Sequence, residues 1–396
     1  MTARTAHFRQ SGFEGRPLPV DVPLLLSALM LLALGIVFVA SASVALAERE
    51  TGEMFYFASK QLTYAAAGSL FALFMAVVPL AFWRRLAPLL LLGAFAMLTL
   101  VLVPGFGHEV NGSVRWLKIG PIRLIQASEP ARLFMFIFMA DYLARRQYEV
   151  QTSFAGFAKP LGLTALAVML LLGEPDFGAA TVLLATIMGM LFIGGARLRD
   201  FLLLVGIAAA GMATLAVTSP YRLKRLTTFM DPWADPFNSG FQLTQSLIAI
   251  GRGEWFGVGL GAGVQKLFYL PEAHTDFVFA VIAEELGLVG VLLVVALYAV
   301  FFFRSFAIAR AALAAEQRFG AYLAYGIAIW IGMQAMINLG VNMGVLPTKG
   351  LTLPLISSGG SSLLVTSAAV GLLLRIGHEA DKANDVWARK KQGVTV

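Results

Sequence analysis

The chain contains no cysteine, so disulfides, thiolate catalysis and cysteine-based metal sites are excluded. It has four histidines in 396 residues, His7, His108, His274 and His378, too far apart in sequence to suggest a histidine-rich metal centre. Charge is scarce too. Only 13% of residues are charged and 58% are hydrophobic, where a soluble domain carries roughly 25% charge. No internal repeat, low-complexity tract or second domain is visible. The net charge of +7 comes from Lys and Arg scattered between apolar runs. They form neither a continuous patch nor a nucleic-acid-binding motif, which argues against a nucleic-acid partner.

What is present is a succession of apolar runs. A bilayer core asks for about 20 apolar residues per helix. Ten runs approach that, at roughly 22–46, 60–82, 86–103, 130–144, 160–173, 177–195, 201–218, 277–303, 321–345 and 361–376. The fourth, fifth and tenth are short, and the fourth and fifth would also fit a re-entrant pair. The first run ends in Ala45-Leu46-Ala47, like a signal-peptidase site. Its length of about 25 residues exceeds the roughly 7–15 of a signal-peptide core, so an uncleaved span is expected. The expected fold is therefore an all-α polytopic membrane protein of ten transmembrane helices, with a large periplasmic loop between helices 7 and 8. Residues 22–377 form one domain between cytoplasmic tails 1–21 and 378–396.

Sidedness follows from the loops. With the N-terminus inside, every inner loop is basic, from Arg84-Arg85 through Arg145-Arg146 and Arg197 to Arg304, Arg310 and Arg318. The outer segments are then 47–59, 104–129, 174–176, 219–275 and 346–360. Their basic residues stand out against that rule: Arg115, Lys118 and Arg123; Arg222, Lys224, Arg225, Arg252 and Lys266; and Lys349. They are either solvated loop charges or parts of an outward-facing anion site, since phosphates draw Arg and Lys. The 219–275 segment is too long for a structureless loop. Helical periodicity over 237–250 puts Phe237, Phe241, Leu247 and Ile248 on one face, as in a helix lying in the membrane interface. The glycine-rich stretch from Gly251 to Gly263 lacks P-loop spacing and reads as a flexible re-entrant turn.

Five stretches carry a resemblance. They are Asn111 to Trp116 with Gln126-Ala127-Ser128-Glu129; Glu174-Pro175-Asp176-Phe177-Gly178; Asp231 to Ser246; Tyr269 to Phe277; and Pro347 to Ser362. In this order, over about residues 20–380, the chain resembles the SEDS family (shape, elongation, division and sporulation). Asp231-Pro232-Trp233, the run from Gln245 to Glu254, and Glu272-Ala273 make it more similar to the division branch than to the elongation branch. Ala127 stands where the family usually has proline, and Ser358 where it often has tyrosine; neither departure removes a charge.

The resemblance implies peptidoglycan glycosyltransfer for septal wall synthesis. Lipid II would be polymerised on the outer face of the cytoplasmic membrane, with undecaprenyl diphosphate leaving. The implied partners are a class B penicillin-binding transpeptidase (FtsI-like) and the divisome proteins FtsQ, FtsL, FtsB and FtsN. A lipid II flippase and a non-catalytic scaffold are the rival readings. Polar residues gathered on the outer face, without repeats, favour surface chemistry over translocation. No cofactor is required by the motifs; a divalent cation is left open.

The candidate catalytic residue is Asp276, matching the family's essential aspartate. A sugar hydroxyl is a poor nucleophile, and a carboxylate base would contribute roughly 10²–10⁴-fold. The residues themselves also allow Thr275 or Asp276 to be a plain helix N-cap. Glu284 and Glu285 follow on the same helix and read as structural, one of them pairing with an Arg or Asn across the bundle, for example Asn338 or Asn342. Cations would stabilise the departing diphosphate, with Lys349 the first candidate, then Arg225, Arg222 and Arg115. Glu129 and Arg132, three apart, are either an intrahelical pair or a charge pair lining the cavity. His274 either binds a sugar hydroxyl or is an ordinary hydrogen-bonding residue. Ser357 to Ser362, including Ser361, form either an anion nest or a turn into the next helix.

Overall fold

The computed structural model describes residues 20–110, 113–119, 122–217, 228–348 and 350–391. Each apolar run folds into a helix: α1 (Val22–Thr51), α2 (Tyr56–Val77), α3 (Leu80–Leu102), α4 (Ser128–Thr152), α5 (Phe154–Gly173), α6 (Phe177–Ile193), α7 (Leu198–Val217), α9 (Val278–Ala314), α10 (Arg318–Asn342) and α11 (Gly360–Lys391). The amphipathic stretch forms α8 (Phe241–Gly253). By length and composition, six helices among the described residues can cross a bilayer: Val22–Thr51, Leu80–Leu102, Phe154–Gly173, Val278–Ala314, Arg318–Asn342 and Gly360–Asn384. Phe177–Ile193 is apolar but shorter. The chain is thus a helical, multi-pass membrane protein.

Helix ends follow local chemistry. Asp21 caps α1 by accepting from the Leu24 N–H at 3.0 Å, with a proline in the first turn. Gly52, at φ 74°, closes the other end in the left-handed conformation. The runs at 130–144 and 160–173 look short because charge interrupts them, yet α4 and α5 are full helices of 25 and 20 residues. Asp141, buried in α4, is held by Arg145 at 2.6 Å and Arg84 at 3.2 Å.

A small sheet adds to the helices that the apolar runs predict. Strands β1 (Gly107–Val110), β2 (Ser113–Ile119) and β3 (Ile122–Gln126) pair antiparallel in chain order between α3 and α4. Leu117 buries against Val101 and Ala127, so the sheet is seated on the ends of those two helices.

The α9 helix is two helices. Gly287 breaks it at φ 63°, ψ −158°. Residues 278–285, on the N-terminal side, are all buried, because the chain from α8 to residue 277 wraps around them. The break strands backbone groups, which that wrapping chain satisfies. Val258 and Gly259 donate to the carbonyls of Glu284 and Glu285 at 3.0 and 3.1 Å. Leu288 and Val289 donate to the carbonyls of Glu254 and Trp255 at 2.9 and 3.2 Å. On α8, Leu243, Thr244, Ser246 and Ala249 face inward, while Ile248 and the preceding Phe237 are exposed. Of the other residues on the expected apolar face, Phe241 and Leu247 are half-buried.

A Cβ at Gly287 would lie 2.4 Å from the Gly257 nitrogen and 2.6 Å from the Gly253 carbonyl oxygen. Gly287→Ala is therefore expected to lower the melting temperature of the purified protein, by more than the roughly 1 kcal/mol of an ordinary glycine replacement. A melt identical to that of the parent protein contradicts this account of the break.

Candidate functional site

A chain segment without helical hydrogen bonds must find other partners when it sits within an apolar bundle. Two such segments meet here: residues 270–277, leading into α9, and residues 346–348 and 350–359, between α10 and α11. One face of α10 carries amides at four-residue spacing, Gln334, Asn338 and Asn342, in an otherwise apolar helix. Asn338 Nδ2 donates to the Asp276 carbonyl at 2.9 Å and to the Leu351 carbonyl at 2.6 Å. Asn342 Nδ2 donates to the same Asp276 carbonyl at 3.0 Å, and its Oδ1 accepts from the Ala280 N–H at 3.2 Å. Gln334 Nε2 donates to the Thr352 carbonyl at 3.0 Å.

The two segments also bond to each other. The Ser357 hydroxyl donates to the Thr275 carbonyl at 2.5 Å, and the Ser358 N–H donates to the His274 carbonyl at 3.0 Å. Asp276 is half-buried at this junction. Its Oδ2 lies so close to Gly350 that a Cβ there would stand 3.0 Å from it. The N-cap residue of α9 is Phe277, which makes no side-chain cap bond. Thr275 turns its hydroxyl to the Glu272 side chain at 2.7 Å. At the start of α9 the Ala280 N–H is shared between the Phe277 carbonyl at 3.0 Å and Asn342 Oδ1 at 3.2 Å.

His274 is nearly buried and packs its ring 4.9 Å from that of Phe57. Burial pushes its imidazole pKa down, partly offset by Glu272 and Glu50. This favours the neutral ring at pH 7, able both to donate and to accept a hydrogen bond.

From Gln334 the polar chain runs on into the bundle. Gln334 Oε1 accepts from Arg132 Nη1 at 3.0 Å and from Trp330 Nε1 at 2.9 Å. Arg132 is 1% exposed, pairs with Glu129, and lies over the Trp330 ring at 5.5 Å. The Ser128 hydroxyl donates to Asp176 at 3.2 Å. Arg115 donates to the Pro175 carbonyl at 2.8 Å and reaches Asp176 at 4.0 Å, too long for a hydrogen bond. The Ser361 hydroxyl accepts from the Gln126 N–H at 3.0 Å, and Ser362 bonds Thr352 at 3.0 Å. Both serines lie in the first turn of α11 and tie it to the end of β3 and to the segment before the helix.

Asp276, His274, Glu129, Arg132, Arg115 and Ser361 thus belong to one connected polar framework. Lys349, Arg222, Lys224 and Arg225 lie outside the described residues. Glu284 and Glu285 are fully buried and ion-paired; Glu284 has an arginine partner, as expected, but neither pairs with Asn338 or Asn342. Asn338 and Asn342 are engaged with backbone carbonyls instead. Glu284 accepts from Arg252 at 3.1 Å and from the Val264 N–H at 2.9 Å. Glu285 accepts from Lys266 at 2.5 Å, Ser41 at 2.8 Å and the Gly261 N–H at 3.0 Å. Arg252 and Lys266 therefore anchor the glycine-rich loop.

Two residues stand out only in three dimensions. Gln334 joins the two halves of the framework; its spacing from Asn338 and Asn342 was the available signal. Glu174, at the turn between α5 and α6, is fully buried, and neither carboxylate oxygen has a hydrogen-bond partner. Burial, reinforced by Asp176 and opposed by Arg115, pushes its pKa up from 4.5 to about 8.

Comparison with known proteins agrees with this architecture. Residues 22–382 match the family model for FtsW, RodA and SpoVE, described as cell cycle protein. A protein from Thioalkalivibrio sulfidiphilus named probable peptidoglycan glycosyltransferase FtsW is 59% identical over 360 residues, covering 91% of this chain and 90% of its own. One of the same name from Nitrosococcus halophilus is 58% identical over 371 residues, covering 94% and 95%. Among solved structures, the Thermus thermophilus rod shape determining protein RodA is 31% identical with a TM-score of 0.68, covering 92% of this chain and 98% of that one. A chain from a peptidoglycan synthase complex, studied for its coordination of polymerization and crosslinking, is 32% identical with a TM-score of 0.75, covering 92% and 99%.

Two outcomes are expected from the framework. Arg132→Met leaves Glu129 as an uncompensated buried charge and should cost about 3–5 kcal/mol of stability, read as an early thermal melt. At Glu174 the folded protein retains a proton that the unfolded chain releases above pH 4.5. Stability should therefore fall as pH rises from 4.5 to about 8, and Glu174→Gln should flatten that slope in melts across the range.

Proposed function

The chain belongs to the FtsW, RodA and SpoVE family of cell cycle proteins, and on that premise we propose that it is a peptidoglycan glycosyltransferase with Asp276 as its catalytic base. The substrate is lipid II, and residues 22–377 carry the activity between cytoplasmic tails. The observation that supports Asp276 is the way it is held. Its own carbonyl accepts from Asn338 and Asn342, and the carbonyl of Thr275 before it accepts from Ser357. Its carboxylate lies against Gly350, where a Cβ would stand 3.0 Å from Oδ2.

In the reaction, the acceptor sugar hydroxyl gives its proton to Asp276 as its oxygen attacks the donor's anomeric carbon. The bond from that carbon to the phosphate oxygen breaks, and its electron pair leaves with undecaprenyl diphosphate. The diphosphate is a good leaving group once neutralised, so the protein's contribution there is positive charge. Lys349, Arg222 and Arg225 are assigned that role. Arg115 is a further candidate, since only its Nη2 is engaged by the Pro175 carbonyl. Arg132 is already neutralised by Glu129 and acts on the site through Gln334. Among the described residues no group of three or more His, Asp or Glu is arranged to hold a metal ion. His274, neutral and beside Asp276, is suited to orient a sugar hydroxyl.

The branch of the family points to septal wall synthesis at the cytoplasmic membrane, with the site facing the periplasm and both termini inside. The similar chain from a complex coordinating polymerization with crosslinking supports a penicillin-binding transpeptidase as partner. The divisome proteins FtsQ, FtsL, FtsB and FtsN are the further partners we assign.

Purified protein with labelled lipid II tests the reading. Asp276→Asn is expected to reduce polymer formation by roughly 10²–10⁴-fold with an unchanged melt. Polymerisation at the parental rate in that variant removes Asp276 as the base. Translocation of lipid II without polymer supports the flippase instead.

A further inference from the structure

Far from Asp276, a cavity of about 530 Å³ opens between α1, α2 and α11. Along its wall, α2 and α11 touch closely. A Cβ on Gly371 would meet the Ala72 carbonyl oxygen at 2.1 Å, and one on Gly68 would meet the Ser367 hydroxyl at 2.7 Å. Small residues of this kind let membrane helices approach. The cleft is walled by Leu25 and Leu29 of α1, Leu73 and Ala76 of α2 and Leu374 of α11. Leu29 and Leu73 are 47% and 62% exposed, so the cleft opens sideways to the surroundings of the bundle. From Ser367 to His378, both in its wall, α11 rises about 16 Å. That is about half of the roughly 30 Å hydrocarbon core, the depth of one leaflet.

The mouth is basic. Arg375 and His378 line it, and Lys382 follows at the spacing that keeps all three on one face of α11. Arg375 is braced in place by an ion pair with Glu379 at 2.6 Å, which offsets part of its charge and leaves His378 and Lys382 to complete the basic rim, and its Nη1 donates to the Val77 carbonyl at 3.1 Å. Its Nη2 has no partner among the described residues. An apolar slot one leaflet deep, with a fixed guanidinium at its rim, matches an acyl chain below an anionic headgroup.

We propose that this cleft is a binding site for one anionic phospholipid of the leaflet at the N-terminal end of α1, its phosphate against Arg375, His378 and Lys382. The top of the cleft is Leu355, two residues from Ser357, whose hydroxyl holds the Thr275 carbonyl. The bound chain therefore touches the loop that anchors the Asp276 segment.

Delipidated full-length protein in detergent, titrated with phosphatidylglycerol or phosphatidylcholine, tests this by native mass spectrometry and thermal melts. One phosphatidylglycerol is expected to be retained and to raise the melting temperature, with no matching response to phosphatidylcholine. Ala76→Trp, which fills the cleft, should abolish both effects. The pair His378→Gln and Lys382→Gln, at accessible positions, should weaken phosphatidylglycerol binding by about fivefold or more while melting like the parent without lipid. Equal responses to both lipids overturn the proposal, as does full binding in both variants. Displacement of the lipid by an uncharged polyprenol assigns the cleft to a prenyl tail and overturns it too. A dimer that Ala76→Trp dissociates assigns the cleft to a second copy and likewise overturns the proposal.

Discussion

The arrangement rests on how a membrane bundle tolerates chain that is not helical. Unpaired carbonyls in an apolar setting are costly, and two irregular segments meet where helices surround them. The α10 helix meets that cost with three amides a turn apart, each donating to a main-chain oxygen of one or both segments. The position of Asp276 is thus set by α10, one of the more deeply enclosed helices, and is continuous through Gln334 with the buried Arg132 pair. A rigid helix carrying a loop residue by its backbone is how a site achieves precision without being built on regular structure.

The outer half of α9 obeys the same constraint in a different form. Breaking a helix at Gly287 releases carbonyls and N–H groups together, and a single loop returns partners to both. Glu284 and Glu285 then make the return permanent, by accepting from loop N–H groups as well as from Arg252 and Lys266. Burying two adjacent carboxylates is tolerable only because each is surrounded by donors. Their cost is offset by a cation and by main-chain dipoles that would otherwise be unpaired themselves.

Much of this is legible in the linear chain. The helices announce themselves through long apolar runs, and Asp276 through its motif. The sheet does not, because the alternation from Ser113 to Trp116 breaks at Leu117, where the strand register shifts, and so is too short to compete with a loop reading. The partners of Glu284 and Glu285 lie in a loop, where helical spacing points to α10. Such spacing carries no information about a segment some twenty residues back that folds onto the same turn. The glycines at 257, 259 and 261, all at positive φ, are the trace of that return. Glu174 shows another limit, since its environment is made by a turn and a strand distant in sequence.

The glycine-rich loop is fastened through its main chain, by donors at Gly261, Val264 and Gln265 and by the pairing at Val258 and Gly259. Its large side chains, Trp255, Phe256 and Leu260, point away from that fastening and are 68%, 83% and 61% exposed. The path of the loop is consequently indifferent to what these positions display. Descendants of this protein can change the outward lettering of the loop, and with it whatever docks there, while the frame underneath stays as it is.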